Sequence, residues 1–134
     1  MLNSLKIAGT EDLPEVIFDI ERNVFRLNGR SLPEDSYEFY HPLISWMDEY
    51  VKNPNPVTVF QISLEYFNSS SLKQIFYLLS KLDIIIKNGK QAKIIWNYLK
   101  EDELMKLKCG EFENLLKVPF EMIEHQTKFN NIKI

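Results

Sequence analysis

One cysteine, two histidines and four glycines in 134 residues remove most kinds of chemistry at the outset. Cys109 alone cannot form an intramolecular disulfide, so the chain reads as cytoplasmic, with nothing that calls for an oxidising compartment. His41 precedes Pro42 near a helix start, and His125 opens a polar stretch at the C-terminus; neither is placed to activate a serine. Two isolated histidines and a lone cysteine do not make a zinc site, and no metal or cofactor is expected. The glycines, at 9, 29, 89 and 110, never take the spacing of a phosphate-cradling or dinucleotide loop. A basic excess is missing too: 16 basic against 19 acidic residues give a formal charge of −3, which argues against a nucleic-acid partner. No run approaches the ~18 apolar residues of a membrane span, and the first ten residues lack a signal-peptide core. There is no internal repeat.

What is present is a core. Hydrophobic residues make up 45% of the chain, and nine Phe, six Tyr and two Trp supply bulk for an interior that needs no crosslink. The length suits a single domain, 1–134, with a packed part over about 14–123 and a polar tail over 124–134.

Hydrophobic periodicity places the elements. Val16 to Ile20 and Val24 to Asn28 read as strands of a hairpin turned at Glu21, Arg22 and Asn23, where Asn23 tolerates a left-handed backbone. The loop from Gly29 to Ser36 leads to a helix capped by Asp35 or Ser36. Its apolar stripe, Tyr40, Leu43, Ile44, Met47, Tyr50 and Val51, ends at Asn53-Pro54-Asn55-Pro56. Val57 to Phe67 alternates with period two, Leu64 and Tyr66 on one face and Glu65 and Phe67 on the other, and reads as a central strand covered by helices. A helical stripe from Leu72 to Ile86, closed by Asn88 and Gly89, precedes a strand over Ala92 to Tyr98. Glu101-Asp102-Glu103 suits the first turn of a further helix reaching Leu116, which Gly110 interrupts or ends early. A last strand over Val118 to Ile123 precedes a loose tail from His125. The pattern predicts an α/β fold: a mixed β-sheet with helices packed on it, in the order ββαβαβαβ. Strand–helix–strand units imply parallel neighbours.

The segment from Glu65 to Lys73 stands out. A strand runs into Asn68-Ser69-Ser70-Ser71 and then into a helix, so three hydroxyls gather where backbone N–H groups favour negative charge. One serine serves as the N-cap; three in succession leave hydroxyls over for a phosphoryl group to be bound or accepted. The same loop admits two readings, a regulated binding site or an anion-holding site of a small enzyme. Glu101-Asp102-Glu103 is read as a solvated helix start rather than a cation site, and Cys109 as a small buried apolar residue.

Several residues carry a resemblance to a known family. Phe18-Asp19, the Gly29-Arg30-Ser31-Leu32-Pro33-Glu34 loop, Phe39-Tyr40-His41-Pro42, Trp46, Tyr50, Leu64 to Ser71, Trp96-Asn97-Tyr98 and Pro119-Phe120-Glu121 resemble the SiaC family of bacterial regulatory phosphoproteins. The likeness runs from about residue 14 to residue 123. It implies a sheet similar to that of STAS-type anti-sigma-factor antagonists and a non-catalytic role in partner switching. In that scheme a kinase phosphorylates one hydroxyl, a phosphatase removes the phosphate, and the unphosphorylated form binds a target such as a diguanylate cyclase. The family's acceptor is usually the threonine of Asn-Thr-Ser-Ser, a position held here by Ser69, which leaves Ser70 or Ser71 to cap the helix. The resemblance also gives Arg30, Ser31, Glu34, Glu65, Asn68, Ser70, Ser71 and Lys73 to the partner-binding surface. Within it Arg30 and Lys73 meet phosphate or acidic groups, and Glu65 and Asn68 orient the loop.

Overall fold

The structure is a computed structural model and describes residues 2–126. Six strands form one mixed sheet whose spatial order is the chain order: β1 (Leu5–Ile7), β2 (Glu15–Asp19), β3 (Val24–Ser31), β4 (Val57–Phe67), β5 (Gln91–Leu99) and β6 (Phe120–His125). The first three are antiparallel neighbours, and β3 through β6 run parallel. Each parallel step is a helical crossover, made in turn by α1 (Ser36–Tyr50), by α2 (Ser69–Ser80) with α3 (Leu82–Lys87), and by α4 (Glu103–Leu115). All three steps go the same way across the sheet, so connections of one hand stack the helices on one face. Ring contacts on that face agree: Tyr50 of α1 lies 4.8 Å from Phe25, and Phe112 of α4 lies 5.5 Å from Trp96.

The alternation in the strands sorts the two faces. In register across five strands, Phe18, Phe25, Phe60, Ile94 and Phe120 turn toward the helices, as do Val16, Leu27, Ile62, Trp96 and Met122. These rows meet Tyr40, Leu43, Met47, Ile75, Leu78 and Leu79, and burial of such side chains contributes about 1.5–3 kcal/mol each. The opposite row, Ile17, Arg26, Gln61, Ile95 and Glu121, is partly exposed.

The α/β architecture matches the sequence expectation, with differences that have physical causes. Strand β1 was not expected, since three residues carry no periodicity; it is made by pairing with β2 and by Trp46 Nε1 donating to the Asn3 carbonyl at 2.6 Å. The helix expected from Leu72 to Ile86 is two, tightened at Lys81, whose amide reaches back to Leu78 O. Gly110 neither breaks nor ends α4. The last strand starts at Phe120 rather than Val118, because Asp83 Oδ1 of α3 accepts the amides of Lys117 and Val118 at 3.0 and 2.9 Å and holds them off the ladder. His125 ends β6 instead of opening a loose tail, with Nε2 2.8 Å from Asn97 Oδ1. The rest of the expected tail, residues 127–134, lies outside the described residues. Asn23 does take a left-handed turn, at φ 56°.

Candidate functional site

The parallel strands β3 and β4 end side by side, Ser31 opposite Phe67, and the Asn68 amide donates to the Ser31 carbonyl at 3.0 Å. This brings the loop into α1 against the start of α2. Their junction is held by hydroxyls. Ser71 Oγ donates to the Ser31 carbonyl at 3.2 Å, Ser31 Oγ donates to Ser71 Oγ at 2.9 Å, and Tyr40 OH completes the chain 2.7 Å from Ser31 Oγ. With Ser31's one hydroxyl hydrogen committed to Ser71, Tyr40 must be the donor. Burial pushes the Tyr40 phenol well above its ordinary range, so it keeps the proton it donates. A second chain runs outward: Ser70 Oγ donates to Asn68 Oδ1 at 3.2 Å, so Ser36 donates to Ser70 across 2.6 Å.

The cap of α2 is not a serine. Asn68 has extended geometry, and its Oδ1 accepts the Ser71 amide at 2.9 Å while its Nδ2 donates to the Pro33 carbonyl at 3.3 Å. The expectation that Ser70 or Ser71 caps the helix is corrected accordingly, since the amide side chain reaches the third helical N–H and also ties the two loops together. Two further expectations change. Ser31 and Ser71 are fully buried, so they offer no hydroxyl to a docked partner and act instead as the pin beneath the loops. Ser36 and Tyr40, which sequence reasoning did not give to the site, complete that pin. Their signal would have been a Ser and a Tyr four apart at a helix start, common enough to carry no message alone.

Ser69 is different. It is the first residue of α2, it is exposed, and its hydroxyl makes no hydrogen bond among the described residues. At that position the helix N-terminus presents free backbone N–H groups and a partial positive charge. Of the remaining expected residues, Ser70, Glu34, Glu65 and Lys73 are exposed and Arg30 is half-buried.

A bulge shapes the end of β4 that leads into this junction. Gly29 pairs with Leu64 but Arg30 pairs with Tyr66, so Glu65 is the extra residue on β4, beside a glycine at φ 109°. The extra residue reverses the alternation expected for the strand end: Phe67 turns into the core and Tyr66 faces solvent, 47% exposed. The Arg30 guanidinium lies 5.7 Å from the Tyr66 ring centroid, and Lys73 Nζ 5.9 Å from that of Tyr77. Tyr37, stacked on His41 at 5.2 Å, exposes a third aromatic ring at the start of α1.

Ser69 thus offers an exposed, unbonded hydroxyl at a helix N-terminus, and the Arg30–Tyr66 and Lys73–Tyr77 pairs belong to the strands and helix that meet at this junction. The profile of the SiaC family regulatory phosphoproteins matches residues 7–125. The chain belongs to the SiaC family. An uncharacterised protein of Pseudomonas aeruginosa (strain UCBPP-PA14) is 26% identical over 124 residues, which is 92% of this chain and 98% of that one. Apo-SiaC from P. aeruginosa superposes with a TM-score of 0.82 at 25% identity, covering 90% of this chain and 98% of its own. A second match, at TM-score 0.83 and 26% identity, covers 90% of this chain and 99% of the other, in the structure of diguanylate cyclase SiaD in complex with its activator SiaC from the same organism. SiaC family membership makes this chain a regulatory protein, and the SiaC of that complex is one that binds a partner.

Outside this region the described residues hold no group of three or more His, Cys, Asp or Glu able to take a metal ion, and no helix long and apolar enough to cross a membrane. Cys109 is buried, and burial with Glu113 nearby pushes its thiol up to about 12, which keeps it protonated and unreactive at neutral pH.

Proposed function

We propose that this chain is a non-catalytic, cytoplasmic switch protein that binds and regulates a target, such as a diguanylate cyclase, when Ser69 is unphosphorylated and releases it when Ser69 carries phosphate. One observation carries the reading: of the three serines at the start of α2, Ser69 alone is both exposed and free of any bond, so its modification disturbs nothing the fold uses. A phosphoryl group there adds about −1.5 to −2 charges, which the helix N-terminus tolerates within the protein. Between this surface and a docked partner the same group is a bulky charge that has to be desolvated, and docking fails. Ser69 stands where the family usually has threonine and keeps the hydroxyl that a kinase needs.

The supporting geometry is the pinned junction beneath Ser69. Asn68, Ser31, Ser71 and Tyr40 hold the two loops in one arrangement, so Arg30, Glu34, Glu65, Ser70 and Lys73 form a preformed rim. The test uses the chain with candidate serine/threonine kinases and phosphatases of its own organism and ATP, followed by mass-spectrometric mapping. Phosphate at Ser69, its loss in Ser69→Ala, and at least tenfold weaker capture of the partner by the phosphorylated form are the expected results. Modification elsewhere, or a phosphorylated form that binds the partner as well as the unmodified one, overturns the reading.

A further inference from the structure

Helix α4 carries apolar residues on two sides. Met105, Cys109 and Phe112 are buried against the sheet. On the outward side Leu104, Leu107 and Leu115 are 53%, 58% and 68% exposed. With Glu111 they fall in one stripe, since residues three, four and eleven apart share a helix face. Three leucines in water along about three turns form a patch of the kind that marks a contact.

The charges of the same helix identify what it meets. About the midpoint between Cys109 and Gly110, Leu104 mirrors Leu115, Lys106 mirrors Glu113, and Lys108 mirrors Glu111. A twofold axis through that midpoint runs two copies of the helix antiparallel and sets each residue against its mirror position. On the leucine face Leu104 then meets Leu115 at both ends and Lys108 meets Glu111 on both sides of the axis. Lys106 and Glu113 lie on the opposite side of the helix and take no part. We propose that α4 is a self-complementary docking surface on which a second copy of this chain pairs antiparallel. Lys108 Nζ already lies 3.3 Å from Glu111 Oε2 within one helix, and pairing extends that contact to a network of four charges. The proposal is independent of Ser69 and its modification.

Sedimentation equilibrium of the full chain at concentrations up to the order of 0.1 mM is expected to show a monomer–dimer equilibrium. Lys108→Glu and Glu111→Lys each turn two attractive cross-pairs into repulsive ones, and each is expected to weaken the dimer by roughly tenfold or more. Mixing the two variants restores pairing as a heterodimer, because the mirror positions are again opposite in sign; the double variant Lys108→Glu/Glu111→Lys restores the homodimer. Thermal melting followed by circular dichroism checks that each variant folds. A wild-type chain that stays monomeric, whether its stripe is bare or covered by residues 127–134, overturns the proposal. So does a dimer that ignores the charge reversals, or a mixture that pairs no better than its components.

Discussion

Asn68, Ser69, Ser70 and Ser71 are four small polar residues in a row, and their environments differ more than their chemistry. Asn68 caps α2, Ser69 faces water unbonded, Ser70 bridges to Ser36, and Ser71 is sealed beneath the loops with Ser31. Truncation therefore has opposite consequences at neighbouring positions. Ser69→Ala is expected to change stability by less than about 0.5 kcal/mol while abolishing phosphorylation. Ser71→Ala leaves the Ser31 hydroxyl without its buried acceptor and is expected to cost about 1–3 kcal/mol. Urea unfolding of both variants, set beside phosphate incorporation, separates the exposed role from the structural one. A Ser71→Ala protein as stable as the parent would show that the buried hydroxyl chain does not hold the junction. The strand-to-helix junction crowded with hydroxyls was legible in the sequence. The division of labour was not, since a cap is decided by which oxygen reaches the third N–H of the helix, and four adjacent candidates look alike until the backbone is fixed.

At the scale of elements, strand β4 was read with its observed ends, Val57 and Phe67, because eleven residues of near-strict alternation leave little freedom. The phase of its last residues was not readable: the bulge at Glu65 comes from pairing with β3, and pairing is not written in β4 itself. The start of β6 was displaced for a similar reason, by a carboxylate 35 residues away in α3. Gly110 is the clearest case of local propensity giving way. Glycine weakens a helix by its backbone freedom, yet α4 continues through it because Met105, Cys109 and Phe112 anchor the turns on either side. Its φ is not positive, and an added Cβ would meet nothing within 4 Å. Gly110→Ala is therefore expected to stabilise the protein by about 0.5–1 kcal/mol, measured by denaturant unfolding at high dilution. A destabilised variant would mean that α4 needs the glycine for something other than its own fold.

At the scale of the whole molecule, the parallel neighbours followed from strand–helix–strand units, whereas the sequential order of six strands and the seating of β1 came from contacts remote in sequence. That arrangement buries ionisable groups at separate places, and these fix how stability responds to pH. Asp19, at the end of β2, accepts the Arg22 amide at 3.1 Å and lies 3.6 Å from Lys6 Nζ; the amide hydrogen bond foremost, helped by Lys6 and opposed by burial, holds its carboxyl below the usual range. A depressed carboxyl contributes stability above its unfolded value, about 3.9, and that contribution disappears as the pH falls through the folded value. Cys109 behaves in the opposite sense. Burial raises its thiol to about 12, so its contribution is complete below the unfolded value of about 8.5 and is lost as the pH climbs toward 12. The phenols of Tyr40 and Tyr50, both raised by burial, act in the same alkaline direction. Denaturant unfolding across the pH range is therefore expected to give a plateau from about pH 5 to about pH 8 with a decline on each side. Asp19→Asn is expected to lower the plateau and flatten only the acid limb, and Cys109→Ala to flatten only part of the alkaline one. An acid limb unchanged in Asp19→Asn would assign the acid sensitivity to other carboxylates and remove Asp19 from the account.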